Sequence, residues 1–387
     1  MKAAQALNID ELRALARRRL PRVMADYLDG GAEDHVTLQA NRAAFEALRF
    51  APRTLVDVSR RSQKATLFGR VYESPVGIAP IGACGLFRHE GDIALARAAR
   101  SANIPFVAST HAFVPLRRLA WEAGGPPWYQ LYLPPSRELA RKMVQHAADA
   151  GCEALVLTTD VPVGGKREYN DRNGFGMPLR VSGRMVADAL AHPRWLLGVF
   201  ARAWLAQDYA MLVPEWHTRR DHASWSDLAW LRETWKGKLL VKGVLCAEDA
   251  QLAAEHGADG IWVSNHGGRQ LDGAPSPLEV LPQIAAAVGE RVTIMVDGGV
   301  RRGSDVAKAL ALGADLVFVG RAAMYGLAAG GEAGVRRALQ ILRGELDRVL
   351  ALLGCNSIGE LGPHFLRPAG RESAAVRSLA AARARSI

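Results

Sequence analysis

The sequence predicts a single α/β domain folded as a (β/α)8 TIM barrel, and three observations predict it. Eight short apolar runs bounded by turn residues recur along the chain, Ala- and Leu-rich segments of helical spacing lie between them, and polar residues close nearly every run. In a barrel all strand ends face one mouth, whereas an open doubly wound sheet gathers polar residues near a single switch point. No G-x-G-x-x-G follows the first run, which removes the usual mark of the open sheet.

Taken in order, the chain opens with an amphipathic N-terminal helix expected after Asn8, a good cap. The predicted strands are "VGIAP" (76–80), "IPFVAS" (104–109), "WYQLY" (128–132), "ALVLTTD" (154–160), "LLVK" (239–242), "GIWVS" (260–264), "VTIMVD" (292–297) and "DLVFVG" (315–320). Segments such as "GDIALARAARSAN", "RELARKMVQHAADAG" and "SDVAKALALGAD" read as the intervening helices. The strand ends carry Pro80, Ser109, Gln130 with Tyr132, Thr158 with Asp160, Lys242, Ser264 with His266, Asp297, and Gly320 with Arg321. Between the fourth and fifth strands lie roughly eighty residues, too many for a loop-helix-loop, so an insertion is expected at about 176–225. Its "HPRWLLGVFARAWLAQDYAMLVPEW" (192–216) is too short and interrupted to span a bilayer. Trp anchors and basic residues would let it lie on an anionic membrane surface; a soluble lid or an oligomer contact is the alternative. The barrel domain is expected over 1–370, followed by a basic, low-complexity tail at 371–387 that is loosely ordered or packs on a neighbour.

Composition narrows the function classes. The chain has 387 residues with 49% hydrophobic and 23% charged content, as in a soluble globular protein. Cys84, Cys152, Cys246 and Cys355 are far apart, without C-x-x-C spacing or a His cluster, so neither a disulfide framework nor a metal site is expected, and a cytoplasmic setting is. The first residues lack the long apolar run of a signal peptide. A net charge of +10 suits an anionic membrane face or acidic small molecules. No zinc-finger spacing or aromatic RNA-binding motif accompanies it, so nucleic acid is not expected as a partner.

Two glycine-rich turns carry the first chemistry. "DGGVRRGS" after the seventh strand and "GRA" after the eighth offer free backbone N–H groups, with Arg301 and Arg321 able to neutralise a phosphate beside Gly298, Gly299 and Gly320. Ser109, Gln130 and Thr158 are neutral hydrogen-bonding groups on successive strands, and Lys242 is a cation on the fifth. That set suits a planar heteroaromatic with carbonyls and ring nitrogens such as flavin mononucleotide, FMN. In "GIWVSNHGGRQLDG", His266 stands among glycines on a loop at the mouth. A lone His there is more often structural, but Asp160 is predicted on the same rim and would tune it as a general base. Arg269 and Arg167 offer forks for a carboxylate, and Tyr132 and Tyr27 hydrogen bonds to substrate oxygens. A base, a flavin and a carboxylate clamp together point to oxidation of a carbon α to a carboxylate.

"SNHGGRQLDG", "DGGVRRGSDVAKALALGAD", "TTDVPVGGKRE", "YQLY" and "DYLDGGAED" resemble the FMN-dependent 2-hydroxy-acid oxidising enzymes, which include glycolate oxidase, L-lactate dehydrogenase and mandelate dehydrogenase. The resemblance runs from about residue 8 to about 365, and "LVDVSRRS", "HPRW" and "LLVKG" bring it nearest to the membrane-associated mandelate dehydrogenase branch. It implies His266 as base, Asp160 as its partner, Arg167 and Arg269 on the substrate carboxylate, and Tyr27 and Tyr132 as active-site tyrosines. It also implies flavin contacts at Pro80, Ile81, Gly82, Ser109, Gln130, Thr158, Lys242 and Ser264. Asp297, Gly299, Arg301, Gly320 and Arg321 fall on the ribityl and phosphate end. The implied reaction takes an (S)-2-hydroxy acid to the 2-oxo acid, with the proton leaving either the α-carbon or the hydroxyl. Gly82 stands where oxidase relatives often have Ala, which tilts the acceptor toward a quinone, with an oxidase using O2 as the alternative. His111 departs from the small residue of the mandelate branch and leaves room for lactate-sized or polar, ring-hydroxylated acids. The resemblance further implies a homotetramer and a peripheral place on the inner face of the cytoplasmic membrane. The rival readings are a non-redox FMN barrel isomerase, which gives no reason for His266, Asp160 and two arginines to meet, and a non-catalytic flavin-binding membrane scaffold.

Overall fold

Val76–Ile78 (β1), Val107–Ser109 (β2), Trp128–Leu131 (β3), Ala154–Thr158 (β4), Lys238–Val244 (β5), Gly260–Val263 (β6), Thr293–Val296 (β7) and Leu316–Val319 (β8) are the eight apolar runs, now paired side by side. A computed structural model describes residues 2–175, 182–205 and 221–369. Every pair from β2 through β8 is parallel, and β8 pairs with β1. A parallel bridge between Ile78 and Phe106, with the Ile78 N–H donating to the Pro105 carbonyl at 2.9 Å, closes the ring. Six of the strands end one or two residues before their apolar runs, because the last residues of those runs turn into the loops of the mouth, while β2 ends with its run and β5 continues to Val244.

The runs are strands because both faces are buried. Outward side chains such as Leu155, Leu239, Ile261 and Ile294 pack under the helical ring. Inward ones, Val107, Trp128, Val156, Leu240, Trp262, Met295, Leu316 and Phe318, fill the interior. Trp262 and Phe318 lie with ring centroids 3.9 Å apart at the centre. Such bulk needs small partners: a Cβ on Gly77 would lie 2.4 Å from the Phe318 ring, and one on Gly260 would meet Met295 at 2.7 Å. A hairpin of Ala65–Leu67 and Arg70–Tyr72 plugs the opposite end of the barrel with Leu67 and Tyr72.

The N-terminal segment forms three helices, Ile9–Arg19, Arg22–Asp29 and Val36–Glu46. The first begins where expected, with the Asn8 side chain accepting from the Glu11 N–H at 2.8 Å, and buries Ile9, Leu12, Leu15 and Ala16. It packs on the long helical stretch Arg321–Leu353. Within the expected insertion the described part is helical, through Gly183–Ala191 and on to Leu205. Residues 176–181, 206–220 and the tail from 370 lie outside the described residues. Of the barrel's helices, Trp225–Thr234 follows the insertion, capped by Ser224 and Asp227.

Because Gly77 faces the Phe318 ring in a filled interior, Gly77→Ala is expected to cost about 1–3 kcal/mol of stability through overpacking. Denaturant unfolding of the two proteins measures it, and an unchanged midpoint would contradict this account of the interior.

Candidate active site

The strand ends and their loops enclose a cavity of about 470 Å³ at the C-terminal mouth, in the range of a small-molecule site. Its floor is the buried aromatic Phe318, and its wall includes Pro80, Ile81, Gly82, Ser109, His111, Lys242, Asp297, Gly299, Arg301, Gly320 and Arg321. Tyr132, Arg167, His266 and Arg269 line it from the barrel loops, and Tyr27 enters from the N-terminal helix Arg22–Asp29. Gln130, Thr158, Asp160 and Ser264 stand directly behind that wall. All the residues singled out from sequence thus meet at one mouth.

His266 lies in the left-handed region (φ 57°), followed by Gly267 and Gly268 at φ 66° and 73°. A run of this kind is cheap only where the neighbours are glycines, which is why "HGG" follows β6. The His266 N–H donates to Ser264 Oγ at 3.1 Å, and its Nδ1 pairs with Asp160 Oδ1 at 2.9 Å. Burial holds the His266 imidazole below its ordinary range, against the pull of Asp160, with Lys242 and Arg167 adding to the burial effect. Burial opposes the charge on Asp160, yet His266 and Lys242 hold its carboxyl below the usual range. The pair is therefore a neutral imidazole donating from Nδ1 to a carboxylate, which leaves Nε2 as the basic atom. Room for Asp160 comes from a bulge in β5 at Gly243 (φ 107°), where a Cβ would lie 2.7 Å from the Asp160 Cβ.

A hydrogen-bonding row runs on from Ser264. Lys242, 3% exposed, donates to Ser264 Oγ at 2.7 Å and lies 3.3 Å from Asp297 Oδ2, while Ser264 donates to Asp297 Oδ1. Asp297, which the resemblance puts at the ribityl end, makes these bonds from its place on the wall. Gln130 accepts from Ser109 through Oε1, but its Nε2 is buried without a partner, as is Thr158 Oγ1. Two orphaned buried groups beside a buried lysine are what a flat ring with carbonyls and ring nitrogens would satisfy. The residues fit FMN, with Gly298 and Gly299 at φ 105° and 81° and Arg301 at the far end for its phosphate.

The mouth is strongly cationic. Burial pushes Arg321 down to about 9, with the charge of Arg269 adding to it, and pushes Arg167 down to about 10 for the same two reasons. Backbone carbonyls hold the guanidiniums. Arg321 donates to Leu28, Gly30 and Gly267, Arg269 to Tyr27 and Gly30, and Arg167 to Arg269 and to Gln270 Oε1. Neutral acceptors do not cancel buried charge, so the site is complementary to anions.

Sequence reasoning missed Phe87, Phe175, Asn170 and Gln270 on the wall. Phe87 and Phe175 surround Tyr27, at 6.2 and 4.7 Å between centroids, from segments far from any strand end. Gln270 had a signal, its place beside Arg269: it braces the Arg167 loop by bonds to the Asp160 and Val163 carbonyls. Trp195 lies in the stretch for which the sequence offered either a membrane surface or a soluble lid; its indole N–H donates to the Leu86 carbonyl at 2.8 Å and its ring packs on the core, which ties the insertion to the segment beside Phe87.

A model of the family described as FMN-dependent dehydrogenase matches residues 16–368. The chain is 46% identical to (S)-mandelate dehydrogenase of Pseudomonas putida, over 94% of each chain. It is 41% identical to an L-lactate dehydrogenase of a Caulobacter species, over 93% of this chain and 98% of that one. Among solved structures, that of a monotopic membrane (S)-mandelate dehydrogenase superposes with a TM-score of 0.87 at 43% identity, covering 94% of this chain and all of the other.

Gly243→Ala is expected to push Asp160 away from His266 and weaken the Nδ1 bond, at a cost of about 1–3 kcal/mol. Imidazole nitrogen NMR checks it: a single Nδ1–H tautomer in the parent and mixed tautomers in the variant.

Proposed function

The chain belongs to the FMN-dependent dehydrogenase family, and from that membership and the geometry of the mouth we propose that it oxidises an (S)-2-hydroxy acid to the 2-oxo acid, with His266 as base. The observation that carries the reading is the His266–Asp160 pair, which leaves Nε2 facing a cavity that also holds two buried arginines. FMN, when bound, supplies the two-electron acceptor for the α-carbon. Arg167 and Arg269 hold the substrate carboxylate and so orient the hydroxyl-bearing carbon toward His266. Tyr132 and Tyr27 donate to substrate oxygens. Nε2 takes one proton, and Asp160 stabilises the imidazolium that results. Lys242 offers positive charge where electron density builds up. The aromatic rings of Tyr27, Phe87 and Phe175 support a mandelate-like acid, while His111, 5.1 Å from the Tyr132 ring, favours a compact or polar side chain such as that of lactate or a ring-hydroxylated acid.

A quinone is the acceptor in this reading, and an anionic membrane surface the place. Among the described residues no helix is long and apolar enough to cross a membrane. The helical insertion instead exposes Val186, Leu190, Leu197 and Leu205, with Arg184, Arg194 and Arg202 nearby in sequence. It is tied to the mouth by Trp195 and by Asp188, which accepts from the Arg22 N–H at 2.6 Å. An apolar face beside the mouth would bring a lipid-soluble acceptor to the site. The same ties favour the second reading, a soluble lid.

Anaerobic mixing with a panel of (S)-2-hydroxy acids, mandelate and lactate included, is expected to bleach the flavin absorbance, and the bleached state to persist in air until a quinone is added. Immediate recovery in air would make the protein an oxidase, and no bleaching by any acid would overturn the reading. His266→Asn is expected to slow bleaching by about 10²–10⁴-fold. Since burial holds His266 below 6.5, the rate should be flat at neutral pH and fall as pH drops through the lowered pKa, because a protonated imidazole takes no proton.

Flotation with anionic vesicles is expected to carry the protein, less so at high salt, and Leu190→Gln with Leu197→Gln to weaken it severalfold. Failure to float would leave the lid.

A further inference from the structure

Asn41 lies on helix Val36–Glu46, outside the eight strands of the barrel, yet it is fully buried. Its side chain meets that of Asn265 in a reciprocal amide pair. Asn41 Nδ2 donates to Asn265 Oδ1 at 2.9 Å, and Asn265 Nδ2 donates back to Asn41 Oδ1 at 2.7 Å. Asn265 is the residue between Ser264 and His266. Its Oδ1 also accepts from the Gly268 N–H at 3.1 Å and its Nδ2 donates to the Pro275 carbonyl, so it spans the left-handed run on which His266 stands.

The same helical turn presses on the other end of the cavity. The Asn41 main-chain carbonyl is so close to Gly299 that a Cβ there would lie 2.3 Å from its oxygen. The next residue, Arg42, donates to the Gly299 carbonyl and to Asp305 Oδ2, and that carboxylate accepts from the Arg301 and Arg302 N–H groups. One turn of an outer helix therefore touches the loop of the base and the turn assigned to the phosphate.

We propose that Asn41 is a positioning residue that fixes the separation between the His266 loop and the Gly298–Gly299 turn, through its amide pair with Asn265 and its carbonyl against Gly299. The inference rests on the proposed function for the role of His266, but its consequence for FMN binding stands independently. An amide is required because Asn265 Oδ1 needs a donor and Asn265 Nδ2 an acceptor. A carboxylate of the same shape would set two oxygens face to face in a buried place.

The test compares Asn41→Asp and Asn41→Ala with Lys308→Met, in the holoenzyme. Lys308 donates to the Phe45 carbonyl at 2.7 Å and so anchors the far end of the same helix; its charge also acts on Asp305 and Arg42, but this hydrogen bond goes to neither loop. Thermal unfolding measures what each change costs the fold. FMN release on dilution, read by flavin fluorescence, and the pH profile of bleaching by (S)-mandelate or L-lactate measure positioning. The Asn41 variants are expected to release FMN about tenfold more readily, to bleach about tenfold more slowly and to shift the acid limb of the profile, while Lys308→Met changes each by less than about twofold. Asn41 variants that lose only thermal stability, to the same extent as Lys308→Met and with FMN release and pH profile unchanged, would overturn the proposal. If neither acid bleaches the parent protein, the functional reading fails for them, and FMN release alone decides the role of Asn41.

Discussion

Closure of the strand ring between Ile78 and Phe106 is the constraint on which the rest depends. Once β1 meets β2, eight parallel strands have a single mouth, and residues separated by more than two hundred positions share it: Pro80 stands beside Arg321 because β8 pairs with β1. Closure works because the interior is filled. Trp262, Phe318, Met295 and Trp128 occupy the axis, with Gly77 and Gly260 giving way to them, so the floor of the cavity is rigid apolar packing.

On that floor the site is an arrangement of charge that neutral groups only partly satisfy. Lys242 has a carboxylate in Asp297, and Asp160 has His266. The arginines have mainly carbonyls, and burial weakens their hold on protons. A mouth built so can receive two anions, a phosphate at the glycine turns and a carboxylate near His266, and binding them relieves the cost of the buried cations. The separation of those two places gives the site its direction.

The N-terminal helices complete the wall. Tyr27 and the Leu28 and Gly30 carbonyls come from a segment with no strand of the barrel, and Arg269 and Arg321 are held by that segment as much as by their own loops. The insertion enters through Leu86 and Arg22. The barrel therefore carries His266, Asp160 and the arginines, while elements outside it add Tyr27 and shape access.

By itself the sequence determined the barrel, its strands to within a few residues, and the polar residues that close the strands at the mouth, because apolar period and polar strand ends are local patterns that a closed parallel sheet converts into one site. "SNHGGRQLDG" announced His266 and Arg269, since glycines that allow a left-handed run are visible in any sequence. It did not announce Phe87, Phe175 or Asn41, whose spacing is that of ordinary core residues. Nor did it show that Gly243 bulges to admit Asp160 or that Trp195 turns inward to Leu86. Those were decided by tertiary structure, because a contact between segments distant in the chain depends on how the layers pack, and packing leaves no period in the sequence.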